Sequence, residues 1–135
     1  MTLKKTQLVG ITSVVGLSTV GILTVGITNT QGGVGIASTC YVKNVIMHNT
    51  GLGTARVSLY MNEGTVQNAV ATGVTANKFL TIDLAANETS FFETNYPLVL
   101  GNWGDTVSVA VDAPDDGGTG IGSMVNFIVN GDTDV

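Results

Sequence analysis

Residues Leu8 to Ile27 read LVGITSVVGLSTVGILTVGI, and whether this run is helix or strand decides the fold of the chain. Lys4 and Lys5 precede it, and a basic start followed by about 20 apolar residues has the form of a signal peptide or a single transmembrane helix. The residue types point the other way. Val, Ile and Thr, which dominate the run, lose side-chain freedom in a helix and suit strands. Gly10, Gly16, Gly21 and Gly26 would each cost a helix roughly 1 kcal/mol relative to Ala. Spaced five or six residues apart, they scatter around a helix and make no small-residue packing face. What the run does contain is a loose repeat: Val9-Gly10-Ile11, Val15-Gly16-Leu17, Val20-Gly21-Ile22, Val25-Gly26-Ile27 and, further on, Val34-Gly35-Ile36. We read it as extended strand, with glycines where another backbone comes close.

On this reading Leu8, Val9, Ile11, Val15, Leu17, Val20, Ile22, Val25 and Ile27 are the apolar side chains of an extended N-terminal β arm. Forty residues at about 3.3 Å each reach on the order of 100 Å, far beyond a small domain. Such an arm cannot bury its side chains alone, so it is expected to mediate assembly on neighbouring subunits. A membrane or signal segment is the alternative reading of the same residues.

Charge supports the division. Of 135 residues only 11% are charged, against about 25% in ordinary soluble domains. After Lys5 the next charged residue is Lys43, and from there three basic residues face ten acidic ones. The break near residue 40 predicts an arm over 1–40 and a folded domain over 41–135. A surface this poor in charge is expected to be partly hidden against partners. The net charge of −5 argues against nucleic acid, which calls for clustered Lys and Arg. Cys40 is the sole cysteine, so an intrachain disulfide and a thiolate zinc cluster are both excluded, and assembly in a reducing cytoplasm fits.

The body alternates. Tyr41 to Asn49 is a strand ending at Asn49-Thr50-Gly51. In Ala55 to Met61, Val57, Leu59 and Met61 share one face, and Arg56, Ser58 and Tyr60 the other. Thr65 to Asn77 reads as a loop or edge strand. Phe79 to Leu84 alternates again, Ala85 to Glu88 turns, and a strand follows through Phe92. Tyr96-Pro97 starts another extended piece, where Pro97 suits an edge because it offers no N–H. Asp105 to Val111 and Met124 to Val129 complete the set. About seven strands, with turn signals every 8 to 12 residues and no amphipathic helix, predict an all-β antiparallel sandwich or jelly roll.

Chemistry is sparse. His48, the only histidine, sits near a turn and reads as a half-buried polar residue rather than a base or ligand. No GxSxG or cysteine-based nucleophile signature is present. Asp83, Glu88 and Glu93 read as solvated carboxylates. The run Asp112-Ala-Pro-Asp-Asp-Gly-Gly-Thr-Gly-Ile-Gly122 has carboxylates enough for a weak calcium loop, but its spacing misses the EF-hand pattern, and an acidic inter-strand loop is the preferred reading. Trp103, in Gly101-Asn-Trp-Gly-Asp105, reads either as a surface contact for a sugar or a neighbouring subunit or as a structural residue packed against the core. No residue is assigned to catalysis, cofactor or metal, and an enzyme is not expected.

From Tyr41 onward the chain resembles the small β-sandwich structural proteins of tailed bacteriophage particles. The likeness is carried by the His48-Asn-Thr-Gly51 turn, the Ala55-Arg-Val-Ser-Leu-Tyr60 strand, the Leu84-Ala-Ala-Asn-Glu-Thr89 turn, Tyr96-Pro-Leu-Val-Leu100 and Gly104-Asp-Thr-Val-Ser-Val109. It implies a virion component: a capsid decoration (cement) protein, a head fibre, or a tail or neck protein. It further implies assembly as a homotrimer, contact with a major capsid or other virion protein, and no shared catalytic or metal residues. A membrane-tethered or exported adhesin or carbohydrate-binding module is the rival expectation.

Overall fold

The computed structural model describes residues 3–16, 18–25, 27–31, 34–37, 39–63, 75–101, 104–112 and 124–134. Among the described residues ten strands run β1 (Leu3–Val15), β2 (Ser18–Thr24), β3 (Ile27–Gln31), β4 (Val34–Ala37), β5 (Cys40–Asn49), β6 (Ala55–Asn62), β7 (Lys78–Leu84), β8 (Thr89–Leu100), β9 (Thr106–Asp112) and β10 (Met124–Asp134). The helical content of the described residues is one turn of 3-10 helix at Thr75–Asn77.

Two four-stranded antiparallel sheets form the body, one ordered β1-β10-β5-β8 and the other β2-β9-β6-β7, while β3 and β4 pair with each other in a separate hairpin. With that hairpin set aside, the pairings nest: β1 with β10, β2 with β9, β5 with β8, β6 with β7. The first strand meets the last and the second meets the last but one, as in a long hairpin ribbon rolled up on itself, with β10–β5 and β9–β6 closing each sheet. This is the jelly-roll arrangement of eight strands in two sheets, and the expected all-β sandwich is what the chain adopts.

One core joins the layers. Val14, Val45, Met47, Val125, Phe127 and Val129 of the first sheet pack against Val57, Leu59, Leu84, Val107, Val109 and Val111 of the second. Each fully buried side chain of this size is worth about 1.5–3 kcal/mol over its exposed state. The period of two in the sequence therefore places the layers correctly.

The described residues of the N-terminal run are extended in β1 and β2, as their residue types predict, and these strands pair within the chain. β1 and β2 lie at one edge of each sheet and pair with β10 and β9 of the same chain. The change in charge near residue 40 is therefore not a boundary in the sheet pairings. Side chains of Val14, Leu23 and Val25 are buried in the common core, which removes the need for a neighbour to cover them. One expectation changes. The strand through Phe92 and the piece from Tyr96 are one strand, β8, because Thr94 to Pro97 bulge out opposite Lys43 while pairing resumes at Leu98. Ser58 and Tyr60, on the face of β6 opposite Val57 and Leu59, are buried as well. Of Thr65 to Asn77, read as a loop or edge strand, residues 65–74 lie outside the described residues and Thr75–Asn77 form the 3-10 turn.

At the β10 bulge, position 131 admits glycine alone: a Cβ on Gly131 would overlap the Tyr41 carbonyl oxygen and crowd Leu8. Nearby, Lys43 Nζ reaches Asp132 at 2.9 Å, which pairs the buried carboxylate at this end of the sheet.

Candidate assembly surface

The outer faces of the two sheets differ. On the β2-β9-β6-β7 sheet the outward row is small, polar and buried: Ser58, Asn62, Thr106 and Ser108 are each under a twentieth exposed. Their hydrogen bonds stay within the fold. Asn62 Nδ2 donates to Ser108 Oγ at 2.9 Å, Asn77 Nδ2 donates to Asn62 Oδ1 at 2.9 Å, and Thr106 Oγ1 donates to the Gly104 carbonyl at 2.8 Å. Lys78 Nζ lies 5.7 Å over the Tyr60 ring. Buried polar groups satisfied in this way stabilise structure and offer little to a ligand.

The β1-β10-β5-β8 sheet has an open outer face organised in rows across its strands. The register brings Ser13, Asn126, His48 and Thr89 into one polar row. Within it Ser13 Oγ donates to Asn126 Oδ1, and His48 Nδ1 lies 2.6 Å from Thr89 Oγ1. One step along, Ile128 is opposite Ile46 and Ile46 is opposite Phe91. Ile11 completes this row from β1, where two residues, Gly10 and Ile11, oppose the single Ile128 at a bulge. The next row is polar again: Gln7, Asn130, Asn44 and Glu93, with Asn130 Nδ2 donating to Asn44 Oδ1 at 2.9 Å. On the far side of the first polar row, Val15 faces Met124. Phe91 is 65% and Ile11 71% exposed. Apolar side chains this open, aligned rather than scattered, make this face the candidate interaction surface.

Of the residues expected to drive assembly, Ile11, Val15 and Val20 are exposed, Leu8, Val9 and Ile22 pack partly against the core, and Val25 is buried. Ile27 belongs to β3, and Leu17 and Trp103 lie outside the described residues. The face adds Ile46, Ile128, Phe91 and Met124, which sequence reading missed. The period of two in β5 and β10 hinted at it, since Asn44-Val-Ile46-Met-His48 alternates the class of its outward residues between polar and apolar. Of the Asp112–Gly122 run, Asp112 closes β9 opposite Arg56 and the rest lies outside the described residues. Arg56 is held instead by Asp83, at 2.8 and 3.2 Å, and the guanidinium keeps that carboxyl below its usual range. Among the described residues no three His, Cys, Asp or Glu side chains cluster in a way that would hold a metal ion, and no helix is long and apolar enough to cross a membrane.

A scan against protein-family models, a search of curated proteins and a search of solved structures each find no match to the chain.

Proposed function

We propose that the chain is a non-enzymatic structural subunit of a virus particle, a capsid decoration protein that binds copies of itself and a major capsid or other virion protein, with assembly in the host cytoplasm. The observation that carries this reading is the open outer face of the β1-β10-β5-β8 sheet, where exposed apolar residues line up in rows between polar ones, set on a jelly roll. Jelly rolls build viral shells and also lectins, so the fold alone does not choose between them. The face favours assembly: it presents apolar and amide rows aligned across four strands, with Ile11 and Phe91 largely exposed.

Virus particles purified by density gradient from cells carrying this sequence test the proposal. Peptide mass spectrometry is expected to find the chain in stoichiometric amounts in the particle band, and imaging of those particles would separate a shell position from a fibre, neck or tail. Recovery of the chain only in membranes or on immobilised glycans would overturn it in favour of an adhesin or carbohydrate-binding module.

A further inference from the structure

We infer that the outer face of the β1-β10-β5-β8 sheet is an isologous interface that takes the same face of a second copy, with the two-fold axis running along the strands. The inference rests on reading the chain as an assembling subunit and names the partner of the face described above.

Charge selects the occupant. The chain carries ten acidic residues and a net charge of −5, so most approaches of one copy to another bring like charges together. The four rows from Val15–Met124 to Gln7–Asn130–Asn44–Glu93 contain one carboxylate, Glu93, and no Lys or Arg. Beyond the last row Lys43 and Asp132 pair with each other at 2.9 Å, so their charges offset.

The rows are also self-complementary. A two-fold axis parallel to the strands, passing between β10 and β5, lays β1 of one copy over β8 of the other and keeps each row at its own height. Ile11 then covers Phe91, Ile128 covers Ile46, and Asn130 covers Asn44. Glu93 meets the Gln7 amide rather than its own copy, so the single carboxylate gains a donor and avoids its twin. Apolar rows meet apolar rows, and amide rows meet amide rows, where each side chain can donate and accept.

The size fits a weak pair. Four strands about 4.8 Å apart and four rows about 7 Å apart give a flat footprint of roughly 500 Å² per copy before side-chain relief is counted. Specific interfaces bury about 800 Å² per partner, so the pair belongs at the weaker end of stable dimers and is expected to dissociate in the micromolar range. A two-fold pair departs from the trimer that the phage resemblance implies.

The test is sedimentation velocity of the full chain over a concentration series, with Ile11→Asp, Phe91→Lys and the double variant. Both positions are mostly exposed, so the fold should survive, and circular dichroism with thermal unfolding checks this. Wild type is expected to sediment as a dimer. Each single variant should weaken the dimer at least tenfold. The double variant should recover it, because the introduced carboxylate of one copy would face the introduced ammonium of the other. A wild-type mass of one or three chains, single variants that dimerise like wild type, or a double variant no better than the singles would each overturn the interface. Particle incorporation of the wild-type chain reads out the virion role separately, so the two proposals fail independently.

Discussion

The side-chain amide of Asn49 donates a hydrogen bond to the main-chain carbonyl of Leu84, 2.9 Å away, and ties the end of β5 to the end of β7 in the opposite sheet. The same Nδ2 also reaches the carbonyls of Gly53 and Ala85, while Oδ1 accepts from the Gly51 N–H. The Asn49 main chain is engaged too, donating to Glu88 and accepting from Asn87, which adopts a left-handed φ of 62° in that turn. Thr50 N–H then bonds the Met124 carbonyl, so one corner gathers β5, the β7–β8 turn and the start of β10.

Asn49→Ala should therefore destabilise the chain by about 3 kcal/mol, because it leaves buried main-chain groups without partners and opens a cavity. Asn49→Asp should be worse than an isosteric change suggests, since it sets a carboxylate against three carbonyl oxygens. Urea unfolding midpoints of the two variants against wild type check both; a loss below about 1 kcal/mol for Asn49→Ala would show that water replaces the amide.

Gly131→Ala should prevent folding or cost several kcal/mol, whereas Gly53→Ala should change stability by less than about 0.5 kcal/mol. The first methyl collides with the Tyr41 backbone; the second meets nothing within 4 Å. Backbone cannot yield as a flexible side chain can. Thermal unfolding of the pair measures the contrast directly.

Within β1, Val14→Ala should cost about 2 kcal/mol and Ile11→Ala almost nothing, because Val14 is 2% exposed and Ile11 71%. Removal of residues 1–25 should abolish cooperative unfolding rather than release an intact domain, since it strips one edge strand from each sheet and uncovers Phe127 and Val109. Near-ultraviolet circular dichroism and amide dispersion in NMR spectra report the outcome. A well-dispersed spectrum from the truncated chain would return the N-terminal run to the status of an arm.

Burial pushes the Cys40 thiol above its usual value of 9.0, an effect that the contact with Thr133 only partly offsets. The unfolded chain loses that proton first as pH rises, so it binds fewer protons than the folded chain and stability falls above about pH 9. Below that pH the contribution is fully present. Wild type should lose more stability between pH 8 and pH 10 than Cys40→Ala, in which other titrating groups are unchanged. Alkylation by iodoacetamide should be slow in the folded chain and fast in urea.

Much of the fold was legible because its signals are local. Alternation in Ala55 to Met61 and Phe79 to Leu84 places β6 and β7 within a residue of their observed bounds, since a strand with one buried face needs a period of two. The strand through Phe92 and the extended piece from Tyr96 read as two in the sequence because Thr94 to Pro97 break the alternation, yet they form one strand. On an edge strand a bulge absorbs those residues, and Pro97 owes no hydrogen bond there. The candidate surface was barely legible. Ile46 and Ile128 lie far apart in the chain, and nothing in either segment announces the other.

By itself, the sequence determined that the run from Leu8 to Ile27 is extended rather than helical. Val, Ile, Thr and spaced Gly set backbone preferences residue by residue, whatever lies nearby. Only the tertiary structure decided what those strands pair with. β1 closes on β10 and β2 on β9 because the core has room for Val14, Leu23 and Val25, a match between segments from opposite ends of the chain. Pairing of that kind also aligned Ile11 with Ile128, Ile46 and Phe91, since neighbours across a sheet are chosen by register and by no property of a single strand.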